Sequence, residues 1–368
     1  MAAEEKEENE KKSHHHEIHV NEINPEVKKN FRDRLLVALV LVIIVVPCIV
    51  IGDYLFLALI FVVSVFATHE IVTTPQSIER IFNGFIYFFS YLMMILLVYR
   101  VFIKNNIAFY IDSRNSTVPF TLSLYRNFDS PTISISAFAL SAGFFFIMVL
   151  IDKNFTAQDA FYFIVMLFMV SLGFQSIMYL RFYPFEELTQ YISYLASDGE
   201  DVEYYKNLLN SDAFRYFQSF GLLFFMLIGV VFNDIGAYIF GVIFGSHKMS
   251  PRISPHKTRE GFFGGLVTSI VFSFTRAILL DYFGYPLLLV LDMKHRYNCL
   301  VISIILPLTG TFGDLIFSSI KRNYKIKDFG KILRSHGGIL DRTDSIIISS
   351  IAMGLLIPIM ENARKIYR

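Results

Sequence analysis

The residues best suited to chemistry lie together near the C-terminal end of the chain, between Asp314 and Asp344. Asp314 follows Gly313 inside an apolar segment. Placing an Asp at mid-membrane depth costs about 2.5–3.5 kcal/mol, so a chain carries one where it lines a polar cavity. On a helix, Asp314, Ser318, Lys321 and Arg322 fall at i, i+4, i+7 and i+8, which is one face. That face offers a carboxylate, a hydroxyl and two cations in order. It suits a metal-bound polyphosphate, with the oxygen ligand deep and the cations shallow. The plainer alternative is a snorkelling Lys-Arg pair at the end of an ordinary helix.

A second group follows at His336-Gly337-Gly338, Asp341-Arg342 and Asp344. Glycines let backbone N–H groups approach phosphate oxygens closely. Asp341 and Asp344 precede the last apolar run, where a helix N-terminus favours anions. Asp344 therefore suits a helix cap as well as a ligand site. Asp341 with Asp314 suits metal ligation, because Mg²⁺ takes a few carboxylates plus substrate phosphates. Two such ions about 3.5–4 Å apart serve phosphoryl transfer elsewhere. His336 suits either a phosphate contact or a turn.

The third group is Asn233-Asp234 with Tyr238, followed by Ser254-Pro255-His256-Lys257-Thr258-Arg259-Glu260-Gly261. Lys257 and Thr258 after a Pro turn have the character of a phosphate-contacting loop, although no G-x-x-x-x-G-K-[ST] occurs. Gly261 and Gly265 have the spacing of close helix packing, which is as good an account of them as a ligand role.

The elements that must position these groups are apolar. Of 368 residues 54% are hydrophobic and 18% charged, against about 25% charged in a soluble protein. Nine segments read as spans, at about 35–51, 54–72, 84–103, 132–151, 161–180, 217–245, 262–280, 299–320 and 345–360. The expected fold is all-α and polytopic, with about nine transmembrane helices and the active site in the C-terminal half at the cytosolic face. Asn233-Asp234 and Gly236 suggest that 217–245 is two broken pieces.

The expected organisation is a polar tail over 1–30 and scaffold helices over 31–180. A polar loop over 181–216, catalytic helices and loops over 217–360 and a tail over 361–368 follow. Lys28, Lys29, Arg32 and Arg34 before the first span put the N-terminus in the cytosol. Nine crossings then put the basic loops 246–261 and 321–344 on the same side. The sequons at Asn115 and Asn154 fall on opposite sides by that count. No cleavable leader is expected, because residues 1–30 lack an apolar core. His14, His15 and His16 belong to the solvated tail. Cys48 and Cys299 sit in or beside apolar runs with no metal or disulfide spacing, as buried hydrophobes do. The net charge of +1 gives no sign of a nucleic-acid partner.

Residues Ser318–Asp344 resemble the signature of the phosphatidate cytidylyltransferases: S-x-hydrophobic-K-R, four residues, K-D, then H-G-G-x-x-D-R-x-D. Asn233-Asp234-x-x-Ala237-Tyr238 and Ser254-Pro255-x-Lys257-Thr258-x-Glu260-Gly261 are similar to two further motifs of that family. Asn30-Phe31-Arg32-x-Arg34 resembles its eukaryotic branch. The likeness covers most of the chain beyond residue 30. Arg334, His256 and Arg259 depart from the pattern, and the chain has no Trp. These are spacer positions and touch substrate detail more than the reaction.

The resemblance implies transfer of a cytidylyl group from CTP to phosphatidic acid in a lipid bilayer, with release of pyrophosphate. It implies Mg²⁺ on Asp314 and Asp341, as two divalent ions with a monovalent cation also admitted. Ser318 matches a catalytically important hydroxyl. Lys321, Arg322, Asp328, His336 and Arg342 are the further expected catalytic residues. Asn233, Asp234, Lys257, Thr258, Lys327, Gly337, Gly338 and Asp344 are the expected nucleotide-binding set. An endoplasmic reticulum location is implied, and a homodimer is compatible with it. Two other classes stay open: a CTP-dependent polyprenol kinase, and a transporter, since intramembrane Asp residues also mark ion paths. Against the transporter, the polar residues gather in loops and do not recur at the midplane of paired spans.

Overall fold

The computed structural model describes residues 39–78, 82–104, 131–198, 212–283, 287–288, 291, 296–333 and 337–366. The 1–30 tail, the Asn115 sequon, Arg334 and His336 lie outside the described residues. The chain divides into two units, Met1–Val42 and Ile43–Arg368. Of the first, residues 39–42 are described, and they are helical.

The expected helical architecture is present. The helices are α1 (Leu39–Ile51), α2 (Asp53–Thr73), α3 (Gly84–Lys104), α4 (Pro131–Ile151), α5 (Ala157–Asp198), α6 (Asp212–Phe244), α7 (Arg259–Tyr282), α8 (Arg296–Asn323) and α9 (Leu340–Ile366). Among the described residues six are long and apolar enough to cross a membrane: α2, α5, α6, α7, α8 and α9. The apolar stretches Leu39–Ile51, Gly84–Val98 and Phe138–Ile151 are shorter. The chain is thus an all-α polytopic membrane protein. Its outer faces agree, since Leu140, Leu150 and Val242 are 73%, 86% and 69% exposed. Apolar surface of that kind is a liability in water and suits lipid.

Two expectations change. α6 runs unbroken through Asn233, Asp234 and Gly236 and is not two pieces. Asn233 is buried against Thr311 of α8 and Asp234 opens on a cavity, and neither side chain draws on the helix's own backbone hydrogen bonds. Residues 181–198, expected within a polar loop, continue α5. At 1.5 Å per residue this 42-residue helix is roughly 63 Å long, about twice the hydrocarbon thickness.

The N-terminal helices pack around aromatic rings. Phe82, Phe145, Phe155 and Phe163 form a cluster with centroids 5.3–6.3 Å apart. Arg181 on α5 is fully buried and donates through Nε to the Ile49 carbonyl at 2.7 Å. That carbonyl lies at the C-terminal end of α1, where unpaired carbonyls need donors.

In the C-terminal half, α6 and α7 are joined by a small antiparallel hairpin, β1 (Lys248–Ser250) with β2 (Ser254–Thr258). Thr258 then caps α7, its Oγ1 accepting from Gly261 N at 3.1 Å. Small residues bring the two helices together. A Cβ at Gly265 would lie 2.6 Å from the Asn233 carbonyl, and one at Gly261 2.7 Å from that of Ala237. The packing role foreseen for Gly261 and Gly265 is therefore real.

α8 ends in a Schellman turn. Ile326 N donates to the Lys321 carbonyl (3.0 Å), Lys325 N donates to that of Arg322 (3.1 Å), and Lys325 has φ 57°. This turn reverses the chain toward α9. It carries Lys rather than the usual Gly in the left-handed position.

Candidate active site

The hairpin, α6, α7 and α8 line a half-open cavity of about 520 Å³ in which charged and polar side chains stand among apolar ones. Asn233, Asp234, Tyr238, Lys257, Thr258 and Asp314 are among its lining. Ser318 lies one turn beyond Asp314, and its Oγ donates to Asp314 Oδ1 at 3.1 Å. The hairpin brings Lys257 Nζ into an ion pair with Asp314 Oδ2. Asn233 Nδ2 donates to Thr311 Oγ1 at 3.3 Å and stands 3.4 Å from Asp234 Oδ1. Thr311 was not singled out from the sequence. It lies one turn before Asp314 on the same helix, and its hydroxyl locks α6 to α8.

The polar stripe of α8 divides. Asp314 and Ser318 face the cavity side, with Lys257. Lys321, buried, turns to Asp341, with Nζ 2.8 Å from Oδ1. Its ammonium also lies 5.5 Å from the centre of the Phe329 ring. Arg322 is exposed. Its Nη1 donates to the Ile326 carbonyl at 2.9 Å, and its Nε is 3.4 Å from that of Ile253 in the hairpin turn. It therefore braces two turns against each other.

Asp341 stands in the first turn of α9 with its side chain 4% exposed. Its Oδ2 accepts from Phe329 N (2.8 Å) and Gly338 N (2.9 Å). With Lys321 on Oδ1, three of about four lone-pair sites are used. Gly337 has φ 79°, and a Cβ there would lie 2.8 Å from Asp341 Oδ2, so both conformation and space require glycine.

Asp344 is buried and accepts from Ser345 N at 2.7 Å. It lies past the start of α9 and does not cap it. The cap comes from elsewhere: Glu70 on α2 accepts from Ile339 N and Leu340 N, both at 2.8 Å. Spans one to five read as scaffold with few internal charges, and Glu70 was passed over. The available signal was an acid inside an apolar run, which by itself marks a residue for attention.

The carboxylates of Asp234, Asp314 and Asp344 are close enough to repel one another. Lys257 and Arg342 act on Asp234, and Lys321 acts on Asp344, with opposite sign. α8 and α9 are in contact here, since a Cβ at Gly313 would lie 2.7 Å from the Asp344 carbonyl. Lys327 and Asp328 stand exposed on the turn after α8.

Among the described residues no three His, Cys, Asp or Glu side chains form a ready metal cage. Mg²⁺ needs none, because it is held by one or two carboxylates and completed by waters and substrate phosphates. The mutually repelling carboxylates of Asp234, Asp314 and Asp344 beside the cavity fit such a hard cation.

The family model described as the cytidylyltransferase family matches residues 32–360. The chain belongs to the cytidylyltransferase family. Curated relatives include the phosphatidate cytidylyltransferase of Staphylococcus saprophyticus, 46% identical over 121 residues, which are 33% of this chain and 43% of that protein. The protein of the same name from Staphylococcus epidermidis is 44% identical over 135 residues, 37% and 46% of the two chains. That from Mycobacterium leprae is 39% identical over 140 residues, 38% and 41%. This cytidylyltransferase-family chain thus spans a little under half the length of the curated relatives it matches.

Proposed function

We propose that the chain transfers the cytidylyl group of CTP to phosphatidic acid, giving CDP-diacylglycerol and pyrophosphate. One observation of geometry carries this. The cavity holding the charged pair Asp314 and Lys257 adjoins an apolar groove of about 310 Å³, and the two share Met249, Phe262 and Thr311. A charged headgroup and an acyl chain need such neighbours. Family membership and relatives named phosphatidate cytidylyltransferase support the same reading.

In the proposed reaction a phosphatidate oxygen attacks the α-phosphorus of CTP. A new P–O bond forms there as the bond to the β-phosphate bridging oxygen breaks, and pyrophosphate leaves with that electron pair. The nucleophile is already ionised, so positioning and charge neutralisation are what the protein must supply. Lys257 and Thr258, presented by the hairpin, suit the polyphosphate. Lys321 and Arg342 add positive charge from the α8 and α9 side, and exposed Lys327 guards the approach. Ser318 holds Asp314 in orientation. Asp314 would hold Mg²⁺, with Asp341 the second ligand proposed, although the acids nearest Asp314 in the structure are Asp234 and Asp344. Bound there, Mg²⁺ supplies neutralisation of the phosphate oxygens. Asp234 and Asp344 complete the acidic surroundings.

The same reading puts the protein in the endoplasmic reticulum membrane with its N-terminus and site toward the cytosol. The Lys and Arg residues of 246–261 and 321–344 support that side.

The test uses purified protein in detergent with phosphatidate or a polyprenol as acceptor, Mg²⁺, and CTP labelled in the cytidine or, in parallel, at the γ-phosphate. Label entering the lipid with equimolar pyrophosphate release is the expected result. Label entering lipid only from the γ-phosphate would identify a lipid kinase instead.

A further inference from the structure

Glu70 lies in the last turn of α2, after Thr68 and His69, and is 1% exposed. A carboxylate buried that deeply must be hydrogen-bonded to persist. Both of its oxygens are engaged, and by residues about 270 positions away. Oε1 accepts from Ile339 N and Oε2 from Leu340 N, each at 2.8 Å. These are among the first N–H groups of α9, which the helix itself leaves unpaired.

The neighbouring N–H, that of Gly338, goes to a different acid, Asp341 Oδ2. Three consecutive amides are therefore shared between two carboxylates that repel one another. Runs of adjacent N–H groups form anion-holding concavities. Here one holds Glu70 on the α2 side and Asp341 on the α8 side, and Asp341 in turn grips Lys321.

Glu70 also fills a socket that only glycines leave open. A Cβ at Gly330 would lie 2.6 Å from Oε1, and one at Gly338 would overlap the carboxylate. Gly330 belongs to the turn after α8, and Gly338 to the loop before α9. One side chain from the N-terminal half thus separates and ties both ends of the segment that joins α8 to α9.

We infer that Glu70 is a positioning residue for cytidylyl transfer: its buried carboxylate fixes the Gly338–Asp341 turn and, through it, the Lys321–Asp341 pair. This rests on the site proposed above. It gives α2 a part in the chemistry without contact to substrate.

The experiment compares wild type, Glu70→Gln and Gly330→Ala as purified full-length chains in detergent, with CTP, Mg²⁺ and phosphatidate. Glu70→Gln keeps the shape but turns an amide NH₂ toward one of the two N–H donors. Gly330→Ala leaves Glu70 intact and crowds its carboxylate from the other side. Each variant is expected to lower kcat on the order of 10–100-fold, as loss of an outer-shell orienting group does, with KM for CTP little changed. The rate is counted per folded site, from CTP-binding titration, and thermal midpoints are recorded alongside. A purely structural role would lower the midpoint and the folded fraction and leave kcat per site at the wild-type value, which would overturn the inference. If Glu70→Gln does not fold, Gly330→Ala decides on the same criterion. A wild-type protein that makes no CDP-lipid overturns the proposed function and this inference together. An active wild type with unimpaired variants overturns the inference alone.

Discussion

Lys321 crosses from the last turn of α8 to Asp341 in the first turn of α9, with Nζ 2.8 Å from Oδ1 and the two side chains 10% and 4% exposed. Asp314, two turns earlier on α8, takes a different lysine, Lys257 of the hairpin. The two acids expected to share a metal thus each hold a lysine of their own. A bound polyphosphate, bringing its own negative charge, would draw on both lysines.

Breaking the buried pair should be severe. Lys321→Met leaves Asp341 charged and buried with only backbone donors. Removal of one partner of a buried pair costs about 3–5 kcal/mol. Thermal unfolding in detergent should show that loss. Lys321→Met combined with Asp341→Asn, whose amide oxygen can still accept from Phe329 N and Gly338 N, should recover part of the stability and none of the turnover.

Asp314 is a different case, because its side chain is 33% exposed and Lys257 is 25% exposed. Asp314→Asn should fold and insert normally. Its turnover should fall by at least about 10²–10³-fold, the scale for removing a preorganised electrostatic group. Near-normal pyrophosphate release would remove Asp314 from the metal assignment.

Lys257→Ala should act mainly on nucleotide affinity. A hydrogen bond to a charged group is worth about 1.5–3 kcal/mol, or roughly 10–100-fold in binding. KM for CTP should rise by that factor, and added Mg²⁺ should recover part of it by screening the acids now left together. An unchanged KM would place the phosphates elsewhere. Lys327→Ala should likewise weaken CTP binding while leaving thermal stability untouched, since Lys327 is exposed.

The turn after α8 offers a prediction on stability alone. Lys325 occupies the left-handed position of the Schellman turn at φ 57°. That conformation costs an L-residue roughly 1–2 kcal/mol, which glycine avoids at some expense in unfolded-chain entropy. Lys325→Gly should raise stability by up to about 1 kcal/mol. Gly337→Ala, at φ 79° and with its Cβ 2.8 Å from Asp341 Oδ2, should lower stability and activity together.

Much of this molecule was legible along the chain. Long apolar runs announce membrane helices because a bilayer core needs about 20 apolar residues to be crossed. The helix boundaries fall within a few residues of the expected spans for most of the nine segments. Asp314 and Ser318 were correctly paired by helical spacing, a local property. The same spacing misled for Lys321 and Arg322. A shared face fixes where a side chain starts, and a long flexible one ends wherever its partner lies. The break expected in α6 is absent for a related reason, since a polar side chain that meets a neighbouring helix, as Asn233 meets Thr311, or opens on a cavity, as Asp234 does, does not interrupt the helix that carries it.

The sequence by itself determined the membrane class, the helices and the list of groups able to handle a charged substrate, because these follow from composition and short-range periodicity. Tertiary structure alone decided the pairings: Lys257 with Asp314, Lys321 with Asp341, and Glu70 with the amides of Ile339 and Leu340. Such contacts depend on which helices lie side by side. That is set by the packing of glycines and aromatic rings across the whole bundle, so no local stretch of sequence contains the answer.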